Sequence, residues 1–183
     1  MSVPFRPLAL ALVAALASCS TSPWYDDRFS PSPLEVQVSS SADPAAQVRA
    51  LVTVRGVSKG KDGGPDAVEV RMRLENLGTR KAVLDQQALS LVSGDLVEFG
   101  PPTVVPAPQT IAPQGAQMLD LIFPLPQGMR RQDLSLRGLN LRWTIDFEGR
   151  RVTTGASFQR DEMLYVHDEP RVHVGIGVGT TID

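Results

Sequence analysis

The stretch Val68-Glu69-Val70-Arg71-Met72-Arg73-Leu74-Glu75-Asn76 alternates between apolar and charged side chains up to its last residue. An α-helix would scatter the four apolar side chains around its circumference, whereas a β-strand places them all on one face. The stretch therefore predicts a strand with one buried and one solvated face. Asn76-Leu77-Gly78 follows it directly and predicts a turn.

The same period of two recurs on both sides of this strand. Upstream, residues 34–38 and 48–54 alternate, and the polar residues 58–65 predict a long hairpin loop. Downstream, residues 119–123 and 139–147 alternate, and Glu148-Gly149 predicts a tight turn into a last strand over 152–158. Three shorter strands are predicted over 82–84, 88–92 and 96–99.

Prolines and glycines limit how these strands are arranged. The chain has 15 of each, which favours frequent turns over long helices. Five prolines fall in residues 101–113, and because proline cannot donate to a central ladder, this segment is predicted at a sheet edge. Residues 134–138 fit either a helical turn or the beginning of the next strand. Together the pattern predicts an all-β antiparallel sandwich of seven to nine strands over residues 34–160.

Two turn motifs in this region resemble those of the immunoglobulin-like domains of bacterial surface and periplasmic proteins. One is Asn76-Leu77-Gly78 at the end of a strand, and the other is Ile111-Ala112-Pro113-Gln114-Gly115 before a strand. The resemblance implies an immunoglobulin-like sandwich over about residues 34–160. The Cys…Trp…Cys framework of antibody domains is absent, so no antibody-like or receptor role is implied.

Residues 1–18 have the composition of a signal peptide. Arg6 precedes an apolar stretch, Leu8–Ala17, that is about half the ~20 residues needed to cross a bilayer as a helix. Two cleavage sites compete. Ala15-Leu16-Ala17 would release a soluble protein beginning at Ser18, whereas Leu16-Ala17-Ser18-Cys19 resembles the lipobox of bacterial lipoproteins.

Cys19 is the only cysteine of the chain, so no internal disulfide can form. A lone cysteine is commonly a small buried apolar residue, but this one directly follows the apolar leader. The resemblance to lipoproteins implies that Cys19 becomes an acylated first residue and anchors the chain to a membrane. In that family an aspartate after the cysteine commonly signals inner-membrane retention. Ser20 therefore favours the outer membrane if the host has one.

Residues 19–33 lack periodicity and end in Ser30-Pro31-Ser32-Pro33, which predicts a flexible lipidated tether. Fully extended, residues 20–33 would hold the domain ~45 Å from the lipid. Trp24 and Tyr25 would either rest at the headgroup level or pack back on the domain.

No catalytic constellation is visible in the sequence. The two histidines, His167 and His173, lie in the C-terminal tail, and no nucleophile elbow, phosphate loop or zinc-protease motif is present. A zinc site at His167, Asp168, Glu169 and His173 is disfavoured because Pro170 interrupts it and no ligand spacing matches. We therefore expect no enzyme activity and no cofactor. The net charge of −2 gives no basic field for nucleic acid.

The tail, residues 161–183, contains one further strand pattern. Val172, Val174, Ile176 and Val178 alternate with His173 and three glycines. Glycine makes such a strand weak, so it requires a partner. Three interpretations stay open: a last strand of the same domain, strand addition to another protein, and disorder.

The sequence thus predicts a non-enzymatic, membrane-anchored envelope lipoprotein that serves protein interaction or assembly. The alternative is a periplasmic or surface module that binds a small ligand or carbohydrate. That alternative predicts an exposed aromatic patch, whereas only 5% of the residues are aromatic and Trp143 and Phe147 are in the core register.

Overall fold

A computed structural model describes residues 23–40, 43–60, 63–107 and 110–161. They form an all-β sandwich of two antiparallel sheets. In chain order the strands are β1 (Phe29–Ser30), β2 (Leu34–Ser40), β3 (Asp43–Ser58), β4 (Ala67–Asn76), β5 (Ala82–Leu84), β6 (Ser90–Ser93), β7 (Thr103–Val105), β8 (Thr110–Ile111), β9 (Ala116–Pro124), β10 (Gly138–Phe147) and β11 (Arg150–Arg160). Nine of these strands have three residues or more, in agreement with the predicted number, and β1 and β8 add two-residue pairings.

The hydrophobic core lies between the two sheets. One has the order β2-β3-β4-β9-β7, and the other has the order β1-β11-β10-β5-β8, with β6 also pairing with β10. β5 and β6 occupy successive parts of the same edge of β10, since Leu84 pairs with Ile145 and Leu91 pairs with Leu141. A short 3₁₀ turn, Gln86–Ala88, separates them.

The period-two strands have the predicted register. The apolar side chains of β4, from Val68 to Leu74, are all fully buried, and their charged neighbours lie on the outer face. Trp143 in β10 is also fully buried, whereas Arg142 beside it is exposed. Glu148 and Gly149 both have positive φ, at 54° and 93°, which makes the tight turn between β10 and β11.

The proline-rich segment lies at sheet edges, as predicted. It contributes β7 to the edge of one sheet and β8 to the edge of the other. Each strand therefore needs ladder hydrogen bonds on one side only, which a proline-rich chain can supply.

Three local predictions differ from the structure. Residues 96–99 are not a strand, because Leu96 has a φ of 62° and only Glu98 forms an isolated bridge, with Val92. The strand predicted over 88–92 begins at Ser90, after the 3₁₀ turn. The helical turn considered for residues 134–138 falls earlier, at Arg131–Asp133, and β10 begins at Gly138.

The domain begins at Trp24 rather than at Leu34. Phe29 is 4% exposed and belongs to the core, and β1 pairs with the end of β11. Trp24 pairs with Ser58, and Tyr25 packs against the core. Of the two interpretations of Trp24 and Tyr25, the structure has the packed one. The flexible tether predicted for residues 19–33 was therefore wrong from Trp24 onward, because these aromatic side chains bury apolar area on the sandwich.

Candidate functional site

The chain enters the sandwich at one end, which we call the entry end. It consists of the first described residues and of the loop residues that meet them: 23–28, 59–60, 63–66, 94–100, 125–137 and 160–161. Backbone hydrogen bonds join these loops, among them Lys59 N–H to Pro23 O at 2.7 Å and Gly94 N–H to Gly138 O at 2.7 Å. The turn at Glu148-Gly149 lies at the opposite end of β10.

A buried ion pair holds the entering segment. Both oxygens of Asp27 accept hydrogen bonds from the guanidinium of Arg131, with side chains 2% and 10% exposed. Arg160 Nε lies 3.0 Å from Asp27 Oδ1, and Arg131 Nη1 donates to the Leu134 carbonyl at 2.7 Å. Hydrogen bonding and the charge of Asp27 raise the pKa of Arg131 against the opposing effect of burial. The segment before β1 is thereby fixed to β11, through Arg160, and to the 3₁₀ turn Arg131–Asp133.

Asp66 forms a second polar centre beside the ion pair. Its carboxylate accepts hydrogen bonds, each 3.0 Å long, from the Tyr25 hydroxyl, the Arg131 backbone N–H and the Gly60 backbone N–H. Burial would raise the pKa of Asp66, but these donors outweigh it, so the pKa is lowered and the group is ionised. Burial, and then the bond to Asp66, raises the pKa of Tyr25. Asp66 thus ties Tyr25 to two loops.

Replacing Asp66 with asparagine is expected to lower the free energy of unfolding by ~1–3 kcal/mol at pH 7, because an amide leaves buried donors poorly paired. The native pKa is below the unfolded value of about 3.9, so the carboxylate stabilises the fold above that pH. The stabilisation is lost as the pH falls through the native pKa. Urea unfolding of both proteins from pH 7 to pH 3 should show the difference shrinking below about pH 4. A difference that stays constant over this range would contradict the assignment.

Two cations cover the aromatic side chains of the entering segment. The Arg55 guanidinium lies 5.1 Å from the Trp24 ring centroid, and Lys59 Nζ lies 5.3 Å from that of Tyr25.

Sequence reasoning missed the buried ion pair because Asp27 and Arg131 are 104 residues apart. One signal was present: Trp24, Tyr25 and Phe29 are three of the ten aromatic residues of the chain, which is unusual for a solvated tether.

The entry end also exposes apolar side chains. Leu96 is 84% exposed on a turn fixed by Ser93, whose hydroxyl accepts the Val97 N–H at 3.1 Å. Met129 is 39% exposed. Beside Met129 is a cleft of about 330 Å³ lined by Gly63, Gly64, Pro65, Leu125, Gln127, Gly128 and Arg130.

A second concave surface lies on the outer face of β6, β10 and β11. This groove has a volume of about 530 Å³, and its lining includes Ser90, Glu98, Asn140, Arg142 and Ser157. The Ser157 hydroxyl donates to Asn140 Oδ1 at 2.7 Å. No aromatic side chain in the described ranges is exposed, so the groove lacks the stacking surface that a carbohydrate site would use.

Several residues singled out from the sequence lie outside the described residues. They are Cys19, His167, Asp168, Glu169, His173, Val172, Val174, Ile176 and Val178. Among residues 23–161, where described, no group of three or more His, Cys, Asp or Glu side chains is placed to hold a metal ion. The described part of the chain also has no helix long and apolar enough to span a bilayer.

Comparison with known proteins identifies no family. No protein-family model and no curated protein matches the chain. One solved structure, the X-ray structure of Northeast Structural Genomics Consortium target SoR45, is 13% identical to it. The match covers 73% of this chain and 95% of that chain, with a TM-score of 0.38.

Proposed function

We propose that this chain is a lipoprotein of the bacterial cell envelope, anchored by acyl chains on Cys19, and that its sandwich is a non-enzymatic module for protein interaction or assembly. The sandwich is immunoglobulin-like in this proposal, in line with the turn motifs at Asn76-Leu77-Gly78 and Ile111–Gly115. Ser20 favours the outer membrane.

The observation that supports the anchor best is how firmly the chain is held just after Cys19. Three residues separate Cys19 from Pro23, and Trp24, Tyr25 and Asp27 are then fixed by strand pairing, a hydrogen bond to Asp66 and a buried ion pair. Such a segment transmits an attachment at Cys19 directly to the domain.

Changing Cys19 to alanine is expected to move the protein from the membrane fraction to the soluble fraction. Each acyl methylene buried in the bilayer contributes ~0.8 kcal/mol, and the variant lacks all of them. Ser22→Ala, three residues further on, should leave the protein in the membrane and serves as the control. Immunoblots of fractionated cells measure both. Membrane attachment that survives in Cys19→Ala would refute the anchor.

For the partner, we propose an envelope protein that receives the stripe of Val172, Val174, Ile176 and Val178 by strand addition. Photo-crosslinkers placed at His173 and Gly177 in native membranes should capture one protein reproducibly. Crosslinks that form only within the chain would assign the stripe to its own domain instead.

The second candidate function is binding of a small polar ligand, and the groove over β6, β10 and β11 favours it. Glu98, Arg142 and Asn140 line this groove with groups of both charges and an amide. A ligand that raises the melting temperature of the native protein, but not of Arg142→Ala, would support this candidate. A screen in which no small polar ligand raises the melting temperature of the native protein would count against it.

A further inference from the structure

We propose that the entry end of the sandwich lies against the surface of the lipid bilayer, with Leu96 and Met129 in the headgroup layer. This inference rests on the proposed acylation of Cys19. It adds the face of the domain that meets the membrane and the side chains that make the contact.

The length of chain between the anchor and the domain sets the orientation. Cys19 and Trp24 are five residues apart, so even a fully extended linker reaches only about 17 Å. The ten residues of β4 alone extend about 33 Å from the entry end to the opposite end. An inverted domain would hold Trp24 farther from the lipid than the linker reaches. The entry end is therefore the end that faces the bilayer.

Leu96 is the apolar side chain best placed for contact. It is the most exposed of the large apolar residues in the described ranges, at 84%. The turn that carries it is rigid: Leu96 N–H donates to the Ser93 carbonyl at 2.9 Å, and Ser93 is fully buried. The turn that carries Met129 is fixed in the same way, since the Met129 N–H donates to the Pro126 carbonyl at 3.0 Å. Large apolar side chains on fixed turns lose little conformational freedom when a headgroup layer covers them.

The charges of this end decide the kind of contact. The exposed cations of the described loops are Arg28, Lys59, Arg130 and Arg137. The exposed carboxylates are Asp26, Asp95, Glu98, Asp133 and Asp161, one more than the cations. With no net positive charge on these groups, attraction to anionic lipid contributes little. The contact is apolar and is held by the anchor, so it should not depend on salt.

The test uses the full-length acylated protein in phosphatidylcholine vesicles that carry a nitroxide on some lipid headgroups. Acylation consumes the Cys19 thiol, so Leu96→Cys and Met129→Cys each provide one site for a fluorescent label. Leu77→Cys, whose side chain is 40% exposed at the opposite end, is the matched control. The nitroxide lipid should quench most of the fluorescence at residues 96 and 129, in low and high salt alike, and little at residue 77.

Each outcome decides a different question. Equal quenching at the three positions, or none at residues 96 and 129 in vesicle-bound protein, would overturn the proposed orientation and leave the anchor intact. Quenching that disappears in high salt would overturn the apolar contact. Protein that stays in solution and takes a second label at Cys19 would overturn the acylation, and the orientation with it.

Discussion

Replacing Trp143 with alanine is expected to lower the free energy of unfolding by ~3–5 kcal/mol, a large part of the stability of a typical domain. Trp143 is fully buried near the middle of β10, and no smaller side chain can fill the space it occupies between the sheets. Urea unfolding followed by circular dichroism measures the change.

Two variants control this prediction. Arg142→Ala changes the exposed neighbour on the same strand and should cost less than ~0.5 kcal/mol. Trp143→Phe should cost less than the alanine variant, since it retains a ring. It also removes an indole N–H that has no hydrogen-bond partner among the described residues. Equal losses for Trp143→Ala and Arg142→Ala would contradict the register of β10.

Replacing Asp27 with alanine is expected to cost ~3–5 kcal/mol, because it leaves the guanidinium of Arg131 buried without a counter-charge. Arg131 is 10% exposed, and little water can replace the lost carboxylate. Asp26→Ala is the matched control, since the Asp26 side chain is 69% exposed and lies 4.0 Å from Arg28. Surface pairs of this kind contribute 0–1 kcal/mol.

A double variant separates the cost of an unpaired charge from the cost of a lost contact. Asp27→Leu combined with Arg131→Met should recover much of the loss, because well-packed apolar side chains often replace a buried ion pair without penalty. Chemical denaturation of the single and double variants gives the coupling free energy between residues 27 and 131. If Asp27→Ala and Asp26→Ala cost the same, the buried pair does not hold the entering segment.

The strands could be predicted where apolar and polar side chains alternate along a short stretch of sequence. Val68–Leu74 and Leu139–Phe147 alternate because one face of each packs in the core, and a single window of sequence contains that information. The edge position of residues 103–105 and 110–111 followed from the missing N–H of proline.

The errors came from contacts that a local pattern does not contain. Phe99 is buried and donates its N–H to the Leu91 carbonyl at 3.0 Å, but the left-handed backbone at Leu96 prevents a regular strand between them. The partners of Asp27, Arg131 and Arg160, are distant in sequence and are brought to it only by folding. The end that we propose to face the bilayer was therefore not predictable from the leader and tether alone.

The mass of the N-terminal peptide of the mature protein tests the proposed membrane anchor most directly. Protein purified from native membranes should give, after proteolysis, a peptide that begins at Cys19 and carries acyl chains. Protein from a host without lipoprotein-modifying enzymes should give no acylated N-terminal peptide. A mature chain that begins at Ser18 with an unmodified Cys19 thiol would contradict the anchor, the proposed function and the orientation of the domain on the bilayer.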